Sequence, residues 1–277
     1  MPRTEDAEDA RRKRFILITA ALLAAIAGFV NSVFLTSLIY PVSHVTGSLS
    51  QSGMSVVAEG SGELGSLVTI LLAFFAGGVA AGVLLGSQPP ATGRRFGLAL
   101  LAEAALLGAA SLVVSREHLI WAVAAAAAAC GLQNGMFSNY RGMVLRTSHM
   151  TGTLTDLGVL VGSGRYRRVQ AWRGLLLTAS LLTFVAGGIV GACQASTDGL
   201  TALRIPALCC AVLGLGYAIY RHHQRLAGEG EHAGPAVAPE PTPNPVPTSA
   251  PRPAPRPAPK PASRPGSPAR CRCADGV

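Results

Sequence analysis

Apolar positions in this chain fall in long unbroken runs, separated by short stretches rich in Arg, Gly and Pro. The runs Phe15–Ile39, Ser66–Gly86, Phe96–Val114, Leu119–Phe137, Gly174–Cys193 and Leu203–Tyr220 each approach the ~20 residues a helix needs to cross ~30 Å of hydrocarbon. A helix that is apolar all round has no face for water, so the pattern predicts spanning helices and not surface ones. The first run follows Arg11-Arg12-Lys13-Arg14 as a signal peptide would, but it is too long for a signal core and lacks a small-residue cleavage site. It is therefore read as a retained span. Two further stretches, Gly47–Ala58 and Gly152–Gly162, are shorter and more polar, with the length of re-entrant or interfacial segments. The expected class is all-α: a polytopic membrane helix bundle of about six spans.

Composition agrees, with 49% apolar and 13% charged residues and a mean hydropathy of +0.40. Both ends are polar, which divides the chain into a cytoplasmic N-terminal segment (1–13), a membrane domain (14–226) and a Pro/Arg-rich tail (227–277). The tail cannot bury a core and is expected to be disordered with polyproline character. It is read as a passive tail; contact of its Arg and Lys with anionic cytoplasmic lipid and binding to a proline-reading domain are the alternatives. The net charge of +9 does not point to nucleic acid, because the cations sit in tails and alternate loops. Arg3, Arg11, Arg12, Lys13 and Arg14 precede span one, Arg94 and Arg95 follow span two, and Arg141, Arg146, Arg165, Arg167, Arg168 and Arg173 follow span four. Arg221 and Arg225 follow span six, whereas the opposite loops hold only Arg116 and Arg204. Cytoplasmic loops carry the Lys/Arg excess, so the expectation is a multi-pass protein of the bacterial inner membrane with both termini cytoplasmic.

The chain also repeats itself. Ser43-His44-Val45-Thr46-Gly47-Ser48-Leu49-Ser50 reappears as Ser148-His149-Met150-Thr151-Gly152-Thr153-Leu154-Thr155. Upstream, Gly28-Phe29-Val30-Asn31 matches Gly131-Leu132-Gln133-Asn134, with a two-residue difference in the intervening stretch; downstream, Leu71–Gly78 matches Leu181–Gly188. Matches in the same order imply a duplication, with halves 14–115 and 118–221. Three spans per half is an odd number, so the halves enter the membrane from opposite sides, an inverted repeat of the kind recurrent in secondary transporters. Thr-Gly is read as a helix break in each copy, with Ser48 and Thr153 placed to cap a following half-helix. Non-helical backbone at membrane depth needs protein or water around it, so the two breaks are expected to meet and line a polar site. Surface loops retained for packing are the plainer alternative.

These residues carry a resemblance. Gly-Phe-Val-Asn, Ser-His-Val-Thr-Gly, Gly-Leu-Gln-Asn and Thr-Gly-Thr-Leu-Thr, in order over residues 14–221, resemble the YoaK-type bacterial membrane proteins, a domain-of-unknown-function family. The resemblance implies a multi-span membrane protein and no settled activity. Members often carry Asp where this chain has Asn31, and Asn where it has Ser48, so the carboxylate in span one is absent here.

The candidate site is therefore argued from residues. His44 and His149 are the histidines repeated between the halves; each can relay a proton, ligate a metal or hydrogen-bond its neighbours. No Cys lies beside either, and two His make an incomplete metal site, so neither metal nor cofactor is expected. With Thr46, Gly47, Ser48, Thr151, Gly152, Thr153, Asn31 and Asn134 they form the expected substrate-binding set. Asn31, Gln133 and Asn134 serve equally as glue between helices. Glu103 lies inside span three, with Cys209 at its approximate counterpart; an ionisable group at depth is costly and is assigned ion coupling, against a structural hydrogen bond. Gly78, Gly82 and Gly86, echoed by Gly187 and Gly191, would allow close helix approach, internally or between protomers of a homo-oligomer. The six cysteines make no disulfide framework.

The function expected from this set is a small-molecule permease, with half-helix N-termini and Arg146 favouring an anionic substrate. The rival is a non-transporting membrane scaffold or regulator whose tail recruits a partner. An enzyme is not expected, since Ser43 beside His44 is adjacency in sequence and a hydrolase needs defined geometry. No Walker-type loop is present to drive transport by ATP.

Overall fold

A computed structural model describes residues 2–38, 42–43, 45–57, 61–86, 94–113, 118–136, 147–163 and 168–231. The first compact unit is Met1–His232; the second, Ala233–Val277, lies outside the described residues with most of the predicted disordered tail, whose first residues, 227–231, are instead the helical end of the chain's last described element. Every regular element among the described residues is helical: α1 (Pro2–Leu38), α2 (Val45–Val57), α3 (Ser61–Leu85), α4 (Arg94–Ser111), α5 (Leu119–Met136), α6 (Met150–Gly162), α7 (Arg168–Asp198) and α8 (Arg204–Glu231), with a 3-10 turn at Gly199–Leu203.

Among the described residues, four stretches are long and apolar enough to cross a membrane: Asp9–Leu38, Leu64–Leu85, Leu119–Met136 and Ala171–Gln224. The last has 54 residues, or ~80 Å at ~1.5 Å per residue, against ~30 Å of hydrocarbon. Gly199 interrupts it with a positive φ of 57°, which a residue without Cβ adopts freely. The expected spans Gly174–Cys193 and Leu203–Tyr220 fall on either side of that interruption. The expected third span corresponds to α4, whose 18 residues include Arg94, Arg95 and Glu103 and do not reach the same apolarity. The charged N-terminal segment is not a separate element: α1 begins at Pro2, and Lys13 pairs with Asp9 one turn earlier at 2.7 Å.

The helices associate as three close pairs, α1 with α7, α3 with α5 and α4 with α8. Gly28 lies against Phe184, and Ser32 against Gly188, so α1 and α7 run parallel. Phe74 lies against Gly131, and Gly78 against Gly135, so α3 and α5 run parallel too. Gly97 meets Gly214, while Glu103 hydrogen-bonds Cys210, so α4 and α8 are antiparallel. A Cβ built on Gly28 would overlap the Phe184 carbonyl, and one on Gly131 would overlap the Phe74 carbonyl. Likewise Gly187 abuts the Ala25 carbonyl, and Gly77 that of Ala128. These are backbone-to-backbone crossings of the kind small residues permit in apolar surroundings, where dispersion contacts rather than hydrophobic burial bind helices.

The glycine stripe expected on α3 is corrected by these contacts. Gly78, Gly82 and Gly86 have open space where a Cβ would stand, and Gly77 makes the close approach. On α7, Gly187 and Gly191 do pack internally, against Ala25 and Phe29 of α1. The outer face of α3 shows Leu72, Phe75, Val79 and Val83, and that of α7 shows Leu182, Val185 and Ile189, all exposed. An apolar surface this continuous suits lipid, not water.

The short helices α2 and α6 have 13 residues each and pack on α3 and α7 respectively. Arg173 Nη2 donates to Asp156 Oδ2 at 2.9 Å, tying α6 to α7. Thr46-Gly47 and Thr151-Gly152 lie inside the first turns of α2 and α6, which corrects the expected break at Thr-Gly. The chain reverses just upstream, in turns at Val42-Ser43 and Thr147-Ser148.

Candidate functional site

The two turns are held by one polar network. Ser43 Oγ donates to Asn31 Oδ1 at 2.8 Å, joining the first turn to α1. In the second half the equivalent pair is Asn134 and Ser148: Asn134 Nδ2 donates to Ser148 Oγ, and Ser148 N donates to Asn134 Oδ1 at 3.2 Å. The two halves meet where Ser148 Oγ reaches the carbonyl of Ser43 at 3.4 Å. Gln133 Nε2 donates to the Leu23 carbonyl at 2.6 Å and to Thr147 Oγ1 at 2.8 Å, joining α5, α1 and the second turn. All these side chains are buried, and an unpaired amide in such a place costs about 1–3 kcal/mol, so the network holds the turns in place.

Beside this network lies a cavity of about 980 Å³. Ser43, Thr46, Gly47, Ser148, His149 and Thr151 line it, so both motif copies contribute to one space. Asn134 lies at its base, and Leu71, Phe74, Phe75 and Val79 of α3 form an apolar wall. Of the expected substrate-binding residues, Thr46, Gly47, His149, Thr151 and Asn134 come together here. Asn31 is buried behind Ser43, and Ser48, Gly152 and Thr153 are not among the lining residues. Ser48 is fully buried and its hydroxyl has no hydrogen-bond partner. His44 and Arg146 lie outside the described residues.

His149 occupies the N-cap of α6, where its Nδ1 accepts from the Gly152 amide at 3.2 Å. A Cβ on Gly152 would stand 2.6 Å from that nitrogen, which explains a glycine here. The expected cap, Thr153, instead turns its hydroxyl back to the His149 carbonyl at 3.2 Å.

Glu103 lies apart from the cavity, buried between α4, α5 and α8. Its neighbours are Cys210, which it hydrogen-bonds, and Cys130; its Oε2 has no hydrogen-bond partner. Cys210, not the exposed Cys209, is therefore the residue facing it. Cys130 precedes Gly131, which lines the cavity, so only the thickness of α5 separates the acid from that space. No group of three or more His, Cys, Asp or Glu among the described residues could hold a metal ion.

Sequence reasoning missed the phenylalanine wall, the serine–asparagine pairs and Cys210. The pairs had a signal: Asn31 and Ser43 are 12 apart and Asn134 and Ser148 are 14 apart, the two-residue difference between the repeats. A family model described as protein of unknown function (DUF1275) matches residues 19–216. The chain belongs to that family. The YoaK-type resemblance agrees with this membership, which covers every residue of the network and the cavity wall. No curated protein matches the chain, and no solved structure does.

Proposed function

We propose that the chain is a small-molecule permease working by alternating access, with its site formed by the paired Ser-His-x-Thr-Gly elements. The observation that carries this reading is that both copies line one cavity while their serines touch at its edge. Six crossings are read here: Asp9–Leu38, Leu64–Leu85 and Leu119–Met136, α4, and the two arms of Ala171–Gln224. Helix directions support an inverted pair of halves. Parallel α1 and α7, parallel α3 and α5, and antiparallel α4 and α8 are what a six-span chain in two inverted halves requires. The contacts repeat as well, Gly28 on Phe184 matching Gly131 on Phe74. Transporters of this design bind near the repeat interface and expose the site to each side in turn. Glu103, a buried carboxyl one helix from the cavity, is the coupling group of this reading.

The test is accessibility. Cys introduced at Thr46 or at Thr151, in a chain lacking native Cys, should react with small water-soluble thiol reagents, one position favoured from each side of the membrane. Inert positions from both sides, in folded protein, would end the permease reading.

A further inference from the structure

We infer that the cavity takes an uncharged, largely apolar small molecule with one hydrogen-bonding end, admitted sideways from the bilayer. This deepens the permease reading and rests on it for the identity of the site. Among the described residues lining the cavity none is Asp, Glu, Lys or Arg. A charged solute would leave water without a partner of opposite sign, at a cost of several kcal/mol. Ser48 and Thr153, on which the anionic class rested together with Arg146, do not line it, and Arg146 lies outside the described residues.

The polar groups that remain are clustered at one end. Ser43 uses its hydroxyl on Asn31, Asn134 pairs with Ser148 and the Cys130 carbonyl, and Ser148 Oγ also reaches the Ser43 carbonyl. His149 uses Nδ1 on Gly152, which leaves Nε2 as a donor. Thr46 and Thr151, three residues beyond Ser43 and Ser148 in their copies of the motif, are exposed and line the same cavity. The rest of the lining includes Leu71, Phe74, Phe75 and Val79 of α3, whose rings and branched chains accept an aliphatic or aromatic body. Phe75 and Val79 also belong to the outer face of α3, with 70% and 48% of their surface exposed. The cavity wall and the lipid-facing surface are therefore one continuous apolar surface, and a solute dissolved in hydrocarbon reaches the site without crossing water.

The experiment uses the full chain in phosphatidylcholine nanodiscs with three diazirine-bearing probes of one chain length, dodecanol, dodecanoate and dodecyltrimethylammonium. Adducts are mapped by peptide mass spectrometry. The alcohol should label Leu71–Val79 and Met150 saturably and be displaced by plain dodecanol. The outer face of α7, Leu182–Ile189, should label without saturation, as lipid contact alone does. Thr46→Val with Thr151→Val, which keep the volume, should weaken displacement about fivefold through loss of hydrogen bonds. Unchanged displacement in that double variant would overturn the hydrogen-bonding end. Labelling equal and unsaturable on both helices would overturn the proposal as mere lipid exposure. Equal cavity labelling by either charged probe would overturn the uncharged class and leave the permease reading standing. No labelling by any probe, with Thr151→Cys still open to a water-soluble reagent, would overturn lateral entry alone. If Thr151→Cys were closed as well, the site itself would fall.

Discussion

Asn134 and Asn31 occupy equivalent places, yet they carry unequal loads. Asn134 both donates to Ser148 Oγ and accepts from the Ser148 amide, while Asn31 accepts only from Ser43. Asn134→Ala should therefore destabilise the protein more than Asn31→Ala. A buried amide left unpaired costs about 1–3 kcal/mol, and a single polar contact between membrane helices averages ~0.6 kcal/mol. Thermal unfolding in detergent would decide the order, and equal losses would mean that the backbone bond at Ser148 carries nothing. Glu103 tests separately. Glu103→Gln keeps the size and one carbonyl acceptor for Cys210, so folding should survive while pH-dependent uptake into proteoliposomes is lost. Uptake with its pH profile intact would return Glu103 to a structural role. At this scale the sequence was readable as residue type and unreadable as role. A repeated histidine looked like chemistry, but the ring nitrogen of His149 that faces Gly152 is engaged in capping a helix.

Helix packing shows where a period ends and a phase begins. Glycines four apart announce a helix face that another helix can approach, and this located Gly187 and Gly191 correctly. On α3 the same spacing picked Gly78 and Gly82, one residue out of phase with Gly77, which meets α5. One helical position is a rotation of ~100°, and only the partner helix determines which side is inside. The runs themselves were legible because a helix surrounded by hydrocarbon must be apolar over its whole length. The turns at Val42-Ser43 and Thr147-Ser148 were not, because Thr-Gly offers a stronger local signal for a break than the residues that make it. Gly28→Ala, Gly77→Ala, Gly131→Ala and Gly187→Ala should each cost about 1–3 kcal/mol or more, since the added methyl meets a backbone carbonyl and not a mobile side chain. Gly82→Ala and Gly108→Ala meet nothing and should cost nothing measurable. A urea or thermal series on the six variants would separate the groups; if both fell together, the helices would not cross backbone to backbone at these glycines.

At the scale of the whole molecule the question is which way each half faces. Arginines collect before span one, after spans two and four, and after span six, and the proposed topology accordingly puts both termini in the cytoplasm. Close approaches at glycines independently make α1 parallel to α7 and α3 parallel to α5. In the proposed six-span order, span five runs parallel to span one because an odd number of crossings leads from the end of one to the start of the other. Spans two, three and four are three crossings, so span five starts on the side where span one started. The α2–α3 connection and the α6–α7 connection then lie on opposite faces, although they are equivalent in the repeat. Single Cys residues at Val57, the end of α2, and at Gly162, the end of α6, give the test in the full chain without truncation. Both positions are exposed, so a bulky impermeant maleimide can reach them. In intact spheroplasts Val57→Cys should be labelled and Gly162→Cys protected, and in inside-out vesicles the order should reverse. Leu85→Cys and Asp198→Cys add a control, with Asp198→Cys following Val57→Cys and Leu85→Cys following Gly162→Cys. Labelling of Val57→Cys and Gly162→Cys from one side would make the halves parallel, and a site built by two inverted motifs would have to be abandoned.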